Sequence, residues 1–400
     1  MDPIPSARAS GFPEFDPVER NTQTSANARG AVIAQNGGMP DESSRPDLPA
    51  ASPARRGEFL LVSCLPGAEG PLVARQAEVC PELRQAAWRR GVVTFRLPAG
   101  FDPPDDFCPD LVFGRSCVRS LGQVTGAADA DRATAAAALV GARAWDAIHV
   151  WPRTSRIDTD VQAIRQALAT CVGPPRAAAV TRPGDLVLDC LVDSPDRWWI
   201  GWHRAARPPS TWPGGGYPGL LPATAVSRAW LKLDEALATF DIPLEPGATA
   251  VELGAAPGGA SQRLLEAGLA GVGIDPAPVD ARVAAAPQFR QWRMRSRDVK
   301  LREFRPFDWI VCDMNIDPRG AMAELGRIVT APGVRPRGIL ATLKLPDWSR
   351  AAELGGWLDA FRGWGFAPRA RQLSTAGREV FVAALRAGDI SGRSTRRPAP

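Results

Sequence analysis

Hydrophobic positions fall into three regimes along the chain. Up to about residue 57 they are sparse among Pro, Ala, Ser, Gly and Asn, so 1–57 lacks the apolar surface that would offset ordering and is expected to be a disordered leader. From residue 58 the pattern tightens. An apolar run of strand length at 58–64, a helical stretch at 72–90 and a second strand at 91–97 open the folded part. After a Pro/Asp loop at 102–109, short strands at 111–113, 147–151, 185–191 and 197–202 interleave with helical segments 130–142 and 158–172, which makes 58–205 an α+β region. Residues 207–219 carry four Pro and four Gly, so 206–219 reads as a linker or an ordered loop over a site.

The third regime, 220–387, alternates strand and helix periods, with strands at 249–253, 271–274, 309–312 and 338–343 and a last hairpin ending at 379–385. That alternation predicts an α/β domain with a mostly parallel sheet covered by helices. Residues 388–400 are expected to fray. Inside this domain a buried strand runs into Gly254-Ala255-Ala256-Pro257-Gly258-Gly259-Ala260-Ser261, a glycine-rich turn opening a helix. Such a turn lets backbone approach a ligand, and the helix start presents free N–H groups. The spacing is not that of a G-x-G-x-x-G dinucleotide loop. The next strand instead ends in Asp275, at about the separation where an acid takes both ribose hydroxyls, which fits S-adenosylmethionine. Asp298 is a candidate for the adenine amino group. A structural turn beside a surface acid is the plain alternative.

Composition sharpens this picture in one respect: 400 residues contain three lysines against 45 arginines. Arginine is a permanently charged fork, whereas lysine can shift its pKa when buried and move a proton, so Lys232, Lys300 and Lys344 are candidates for chemistry. Formal net charge is +5 and the sequence pI about 9.0, compatible with a polyanionic partner without requiring one. Seven cysteines show no C-x-x-C pair and only two histidines exist, so neither a metal cluster nor a disulfide framework is legible, and buried thiols of a reducing compartment fit best. His149 and His203 each stand alone in sequence and read as core or rim residues. With no basic-plus-apolar start and no apolar run of membrane length, the chain reads as cytoplasmic and unattached to membranes; its oligomeric state is left open by the sequence, with a monomer favoured.

Two lysines sit in telling surroundings, Lys232 in Ser227-Arg228-Ala229-Trp230-Leu231-Lys232-Leu233-Asp234-Glu235 and Lys344 in Thr342-Leu343-Lys344-Leu345-Pro346. With the glycine turn that follows it, the first segment resembles the start of the FtsJ-type ribose 2'-O-methyltransferases. That resemblance implies a Rossmann-like class I methyltransferase domain at 220–387 with an antiparallel C-terminal strand. It also implies S-adenosyl-L-methionine as cofactor and a catalytic Lys-Asp-Lys-Glu set falling on Lys232, Asp313, Lys344 and Glu379. The implied cofactor residues are Gly254, Ala255, Pro257, Gly258, Gly259, Ala260, Ser261, Asp275, Asp298 and Asp313, with no metal. Trp198-Trp199-Ile200-Gly201-Trp202, Cys312-Asp313-Met314 and Leu343-Lys344-Leu345-Pro346 further resemble the ribosomal RNA large subunit methyltransferase M family. Its members carry a smaller THUMP-like RNA-binding module, a role that falls on 58–205. The implied reaction is 2'-O-methylation of large-subunit ribosomal RNA, free or in a precursor particle, at a cytidine. A transfer RNA or other RNA target, and a non-catalytic assembly factor of the same fold, are the alternatives.

A ribose hydroxyl is a poor nucleophile, so such an enzyme must orient it and remove a proton. Lys344 is the candidate base: burial and Lys232 would depress its pKa, while Asp313 and Glu379 would oppose that by favouring the charged form, which makes the role of the two acids mainly positional; whether Lys344 takes the proton or only orients the hydroxyl is left open by the sequence. Each residue also has a structural reading: Asp313 as a strand-end cap, Glu379 as a solvated strand residue, either lysine as an ion-pair partner. Amino-group methylation would call for an Asn/Asp-Pro-Pro-aromatic turn, absent at Asp313-Met314-Asn315, and Cys312 is expected in the core, not as a carbon-attacking thiolate. Arg290, Arg293, Arg295, Arg297, Lys300, Arg302 and Arg305, with Trp292 among them, offer cations and an aromatic for RNA, or simply a solvated face.

Overall fold

Two seven-stranded sheets organise the chain in the computed structural model, which describes residues 59–101, 103–176 and 180–386. The expected leader 1–57 and tail 388–400 lie outside the described residues. The first sheet contains β1 (Phe59–Cys64), β2 (Arg84–Arg89), β3 (Val92–Arg96), β4 (Gly114–Thr125), β5 (Ala147–Pro152), β6 (Leu186–Ser194) and β7 (Arg197–Arg204) in the order β2-β3-β1-β4-β7-β6-β5. Only its β5–β6 pair is parallel. Helices α1 (Glu69–Val79), α2 (Asp129–Val140) and α3 (Val161–Val172) cover it, and the Asp160 carboxylate caps α3 by accepting from the Gln162 and Ala163 N–H groups.

The helix expected at 72–90 is corrected here: it ends at Val79, and residues 84–89 form the edge strand β2 paired with β3. Pro81, which cannot continue a helix, marks the break, and pairing overrides the helix-forming Arg-Gln-Ala-Ala composition. The strand expected at 111–113 is likewise displaced. Leu111, Val112 and Phe113 plug the core, and β4 starts at Gly114. The two histidines are not isolated from one another: their rings lie 5.8 Å apart on either side of buried Asp189, which accepts from His203 Nδ1 at 2.5 Å. Cys108 and Cys171 are exposed, against the expectation that the thiols are buried.

The second sheet contains β8 (Thr249–Leu253), β9 (Ala270–Ile274), β10 (Phe289–Trp292), β11 (Trp309–Cys312), β12 (Gly338–Lys344), β13 (Phe366–Arg371) and β14 (Glu379–Arg386), with α4 (Ala229–Phe240), α5 (Gly259–Glu266), α6 (Ala281–Ala284), α7 (Pro318–Val329) and α8 (Leu354–Gly363) around it. Its order is β10-β9-β8-β11-β12-β14-β13; the first five strands run parallel, and β14 inserts antiparallel between β12 and β13. Trp292, weighed as a base-stacking surface, turns inward and meets Phe307 edge-on at 6.3 Å.

One apolar cluster runs through both sheets, joining Leu60, Val62, Phe95 and Phe113 to Ile310, Leu343 and Val380. The Gln372 N–H donates to the Val112 carbonyl at 2.9 Å and Arg371 donates to the Gly114 carbonyl at 2.7 Å, so backbone as well as side chains tie the halves together. Residues 207–219 are packed: a Cβ on Gly214 would meet the Trp151 ring at 2.5 Å, and Ser63 donates to the Gly214 carbonyl at 3.0 Å. Among the described residues, no helix is long and apolar enough to cross a membrane.

Candidate active site

Parallel strands β8, β9, β11 and β12 end on one edge of the second sheet, where a doubly wound sheet opens a crevice for ligands. Gly254, directly after β8, has φ +82°, and a Cβ there would sit 2.8 Å from the Met314 backbone, so any side chain would wedge apart the ends of β8 and β11. A cavity of about 460 Å³ opens beside it, within the size range of small-molecule sites. Gly254, Asp275, Met294, Ser296, Met314 and Asn315 are among its walls. Asp275 is held by two backbone donors, Ala256 N–H at 3.1 Å and Ala277 N–H at 2.8 Å, which fix the carboxylate while leaving lone pairs on both oxygens. A glycine floor, a fixed carboxylate at the next strand end and this volume together fit an adenosyl group.

Three of the expected cofactor contacts are not delivered by the geometry. Ala260 is buried among Leu233, Ala236 and Phe240, because the start of α5 packs on α4. Ser261 is also buried and spends its hydroxyl on Glu252. Asp298 stands in a 3-10 turn with its side chain 59% exposed, 3.9 Å from neighbouring Arg297, and does not line the cavity. Of the remaining turn, Ala255 faces an apolar cluster with Val283 and Phe289, Pro257 accepts the Asp280 N–H through its carbonyl, and Gly258 precedes α5. A Cβ on Gly259 would strike the Ser227 hydroxyl at 2.1 Å, which explains that glycine by its close approach to the segment leading into α4.

Lys232, Asp313, Lys344 and Glu379 come from four separate elements and close into a ring of alternating charge. Lys232 Nζ lies 2.7 Å from Asp313 Oδ2 and 3.2 Å from Glu379 Oε1. Lys344 Nζ lies 2.8 Å from Asp313 Oδ1 and 2.6 Å from Glu379 Oε2. Each carboxylate thus bridges both ammonium groups, and each ammonium, with three donors, keeps one free. The register of β12 and β14 makes this possible, since Lys344 and Glu379 are directly opposed. All four side chains are between 10% and 22% exposed, so the ring is reachable without being solvated throughout. It meets the cavity at consecutive residues, Asp313 in the ring and Met314 in the cavity wall.

The electrostatics decide between the two opposing influences expected on Lys344. Burial alone would push Lys344 toward losing its proton, but Asp313 and Glu379 outweigh it and hold the pKa above the ordinary lysine value. In the ligand-free protein Lys344 is therefore an ammonium, not a base with lowered pKa. Cys312 is fully buried and burial pushes its thiol up to about 12, which keeps it protonated in the core.

Several supporting residues escaped the sequence reading. Glu252 sits beneath the site, where burial pushes its carboxyl up to about 8, with the Ser261 hydroxyl opposing and the Asp313 charge adding to the rise. Glu235 accepts from the Ser374 and Thr375 N–H groups at 2.6 and 2.8 Å and from the Thr375 hydroxyl at 2.6 Å, which pins the loop that leads to Glu379. Tyr217, the one tyrosine of the chain, donates to Asp234 at 2.5 Å and ties the 207–219 segment to α4. An acid at helical spacing from Lys232 was the available signal for Glu235; a buried acid in a strand was the signal for Glu252.

Comparison with known proteins places this geometry. The FtsJ-like methyltransferase family matches residues 225–329. A ribosomal RNA large subunit methyltransferase M of Halorhodospira halophila is 30% identical over 328 residues, 80% of this chain and 92% of that protein. The protein of the same name from Chromohalobacter salexigens is 28% identical across 75% of this chain and 88% of its own length, and that from Laribacter hongkongensis 36% identical across 37% and 42%. Among solved structures, TrmN from Thermus thermophilus overlays at a TM-score of 0.31 with 17% identity over 82% of this chain and 99% of that one, too slight a likeness to carry a functional inference. With similarity spanning nearly the whole of the first relative, this chain belongs to the ribosomal RNA large subunit methyltransferase M family.

Proposed function

We propose that this chain transfers a methyl group from S-adenosylmethionine to a ribose 2'-hydroxyl of large-subunit ribosomal RNA. The observation that carries the reading is the junction of the ring with the cavity: two ammonium and two carboxylate groups converge where Asp313 gives way to Met314. Gly254 and Asp275 would hold the adenosyl end, and the backbone of 255–259 would flank it. The bound cofactor supplies a methyl on a positively charged sulfur, already activated for attack.

What remains for the protein is to orient one oxygen and dispose of one proton. Lys344 Nζ, held by Asp313 and Glu379, has a spare N–H to direct a hydroxyl oxygen. Because the two carboxylates raise its pKa, Lys344 must first shed its own proton before Nζ can accept one, and a second positive charge nearby works in that direction. Lys232 closes the ring and shares both carboxylates, so its part is to keep them from collapsing onto Lys344 alone.

The finer assignments belong to the same reading. Residues 58–205 would serve as a THUMP-like RNA-binding module, 206–219 as the connection and 220–387 as the catalytic domain. The protein would act in the cytoplasm as a monomer, on ribosomal RNA or a precursor particle, and the resemblance names cytidine as the target. The test is tritium transfer from labelled cofactor to large-subunit ribosomal RNA. Wild type should label the RNA, while Lys344→Ala should lose at least about a hundredfold in rate yet still bind RNA. No incorporation by the wild-type protein into free RNA or ribosomal particles would overturn the reading.

A further inference from the structure

A second cavity, of about 420 Å³, lies between the two sheets. One wall comes from the first sheet and its loops: residues 105–110, the start of β4 and the segment after β7. The other is the end of α4, at Thr239 and Phe240, with β13 at Arg369–Arg371. Its charge is unbalanced in a way that no other described cavity wall matches. Five arginines face Asp105, Asp106 and Asp110; Arg204 is paired with Asp105 at 3.2 Å, and among the described residues no carboxylate forms an ion pair with Arg115, Arg207, Arg369 or Arg371. Arg115 and Arg371 each donate to a backbone carbonyl, at 3.0 and 2.7 Å, and Arg369 donates to the Phe240 carbonyl. A guanidinium has five donors, so most of this capacity is uncommitted. Among the described residues, the buried Nε of Arg115 has no hydrogen-bond partner. Arg207 is exposed, and burial together with the Arg207 charge holds Arg369 below the ordinary arginine range against the opposing pull of Asp241.

Placement relative to the ring gives this cluster a use. In the β13–β14 register Arg371 is opposite Phe381, and Phe381 lies two residues along β14 from Glu379 on the same face, about 7 Å away. Phe240 follows Lys232 by eight residues of α4, about 12 Å along the helix. The cavity thus opens on the α4 side of the sheet, next to the ring and within the reach of a few nucleotides.

We propose that Arg115, Arg207, Arg369 and Arg371 form a clamp for backbone phosphates of the RNA strand whose ribose enters the Lys232–Asp313–Lys344–Glu379 ring. The proposal rests on the RNA reading above and specifies where the flanking strand runs. It adds a phosphate track separate from residues 290–305, where Arg302 is paired with Glu303 and Trp292 packs into the core. Planar guanidinium forks suit phosphate oxygens, and uncompensated cations in a cleft gain most from neutralisation.

The test is equilibrium binding of a fluorescently labelled single-stranded oligoribonucleotide of about 16 nucleotides, the upper end of single-strand site sizes, to the full chain across a salt series. Each phosphate contact contributes about 0.7 to the slope of log affinity against log salt, so Arg207→Ala with Arg371→Gln should flatten it by about 1.4 and weaken binding roughly tenfold at low salt. Arg371→Lys should restore part of the slope, and affinity for S-adenosylhomocysteine should be unchanged, which separates lost charge from lost fold. Arg207→Ala alone, an exposed side chain with no side-chain hydrogen bond among the described residues, should still flatten the slope by about 0.7. An unchanged slope in both variants overturns the clamp. So does loss of calorimetric heat with inorganic phosphate while the RNA slope stays intact, since the cleft would then be a small-anion site. Neither readout needs turnover, so a wild-type protein that binds RNA with the expected slope but transfers no methyl would sink the proposed reaction and leave the clamp standing.

Discussion

Glu252 shows how much one buried carboxyl can report about the site above it. It is 2% exposed, and burial pushes its pKa up to about 8 from an ordinary value of 4.5. A folded-state pKa above the unfolded one means that the folded protein binds this proton more tightly. The contribution to stability is therefore complete below pH 4.5 and is lost as pH climbs toward 8, at about 1.4 kcal/mol per pH unit at most. Glu252→Gln keeps the shape and an acceptor for the Ser261 hydroxyl while removing the titration. Its chemical-denaturation midpoint relative to wild type should rise steadily between pH 5 and pH 8. A constant difference across that range would show that Glu252 does not carry a raised pKa. The ring works by the opposite arrangement: Lys344 has carboxylates on two sides, so charge is retained where the Glu252 site expels it.

Elements deliver the catalytic side chains, and the loop from β13 to β14 is the least secured of them by strand pairing. Glu235 substitutes for that pairing by accepting three hydrogen bonds from Ser374 and Thr375. Glu235→Ala would leave those donors unpaired beside α4, at a cost of roughly 2–3 kcal/mol. The expected result is a lowered urea midpoint together with methyl transfer reduced more than cofactor affinity, because Glu379 begins β14 whereas the cavity lies across β8, β9 and β11. Equal losses of transfer and cofactor affinity would contradict this. Four of the five parallel strands, β8, β9, β11 and β12, were legible because each is an apolar run bounded by Gly, Asp or Pro, and the two ring lysines because lysine is rare in this chain, whereas Asp313 and Glu379 were reached only through the family resemblance. Strand β4 was not: its Arg-Ser-Cys-Val-Arg-Ser-Leu-Gly stretch alternates only loosely, and its strand character comes from β1 and β7 on either side. Strand β10 hid in an arginine-rich segment because it is an edge strand whose Arg290 faces water. The inward turns of Ser261 and Trp292 depend on partners too far along the chain, Glu252 and Phe307 within their packed layers, for local pattern to show which way they face.

At the scale of the whole molecule, the question is whether the two sheets are separate bodies on a tether or one cooperative unit. Phe113 bears on it directly, being 1% exposed, in the cluster that spans both sheets, and edge-on to Trp348 at 6.3 Å. It lies just before β4, and Trp348 lies just after β12, the strand that carries Lys344. If packing across this joint contributes to both halves, truncating Phe113 must weaken the half that does not contain it. Phe113→Ala should cost about 3–5 kcal/mol, the usual range for a buried aromatic. Thermal unfolding followed by far-ultraviolet circular dichroism should remain a single transition, displaced downward. Loss of S-adenosylhomocysteine binding, which reports on the second sheet alone, should move down by the same interval. Were the binding transition to stay at its wild-type temperature while the dichroism transition split in two, the sheets would be independent. A phosphate clamp built from both walls would then lack the fixed geometry it requires, since Arg115 and Arg371 come from opposite sides of that joint.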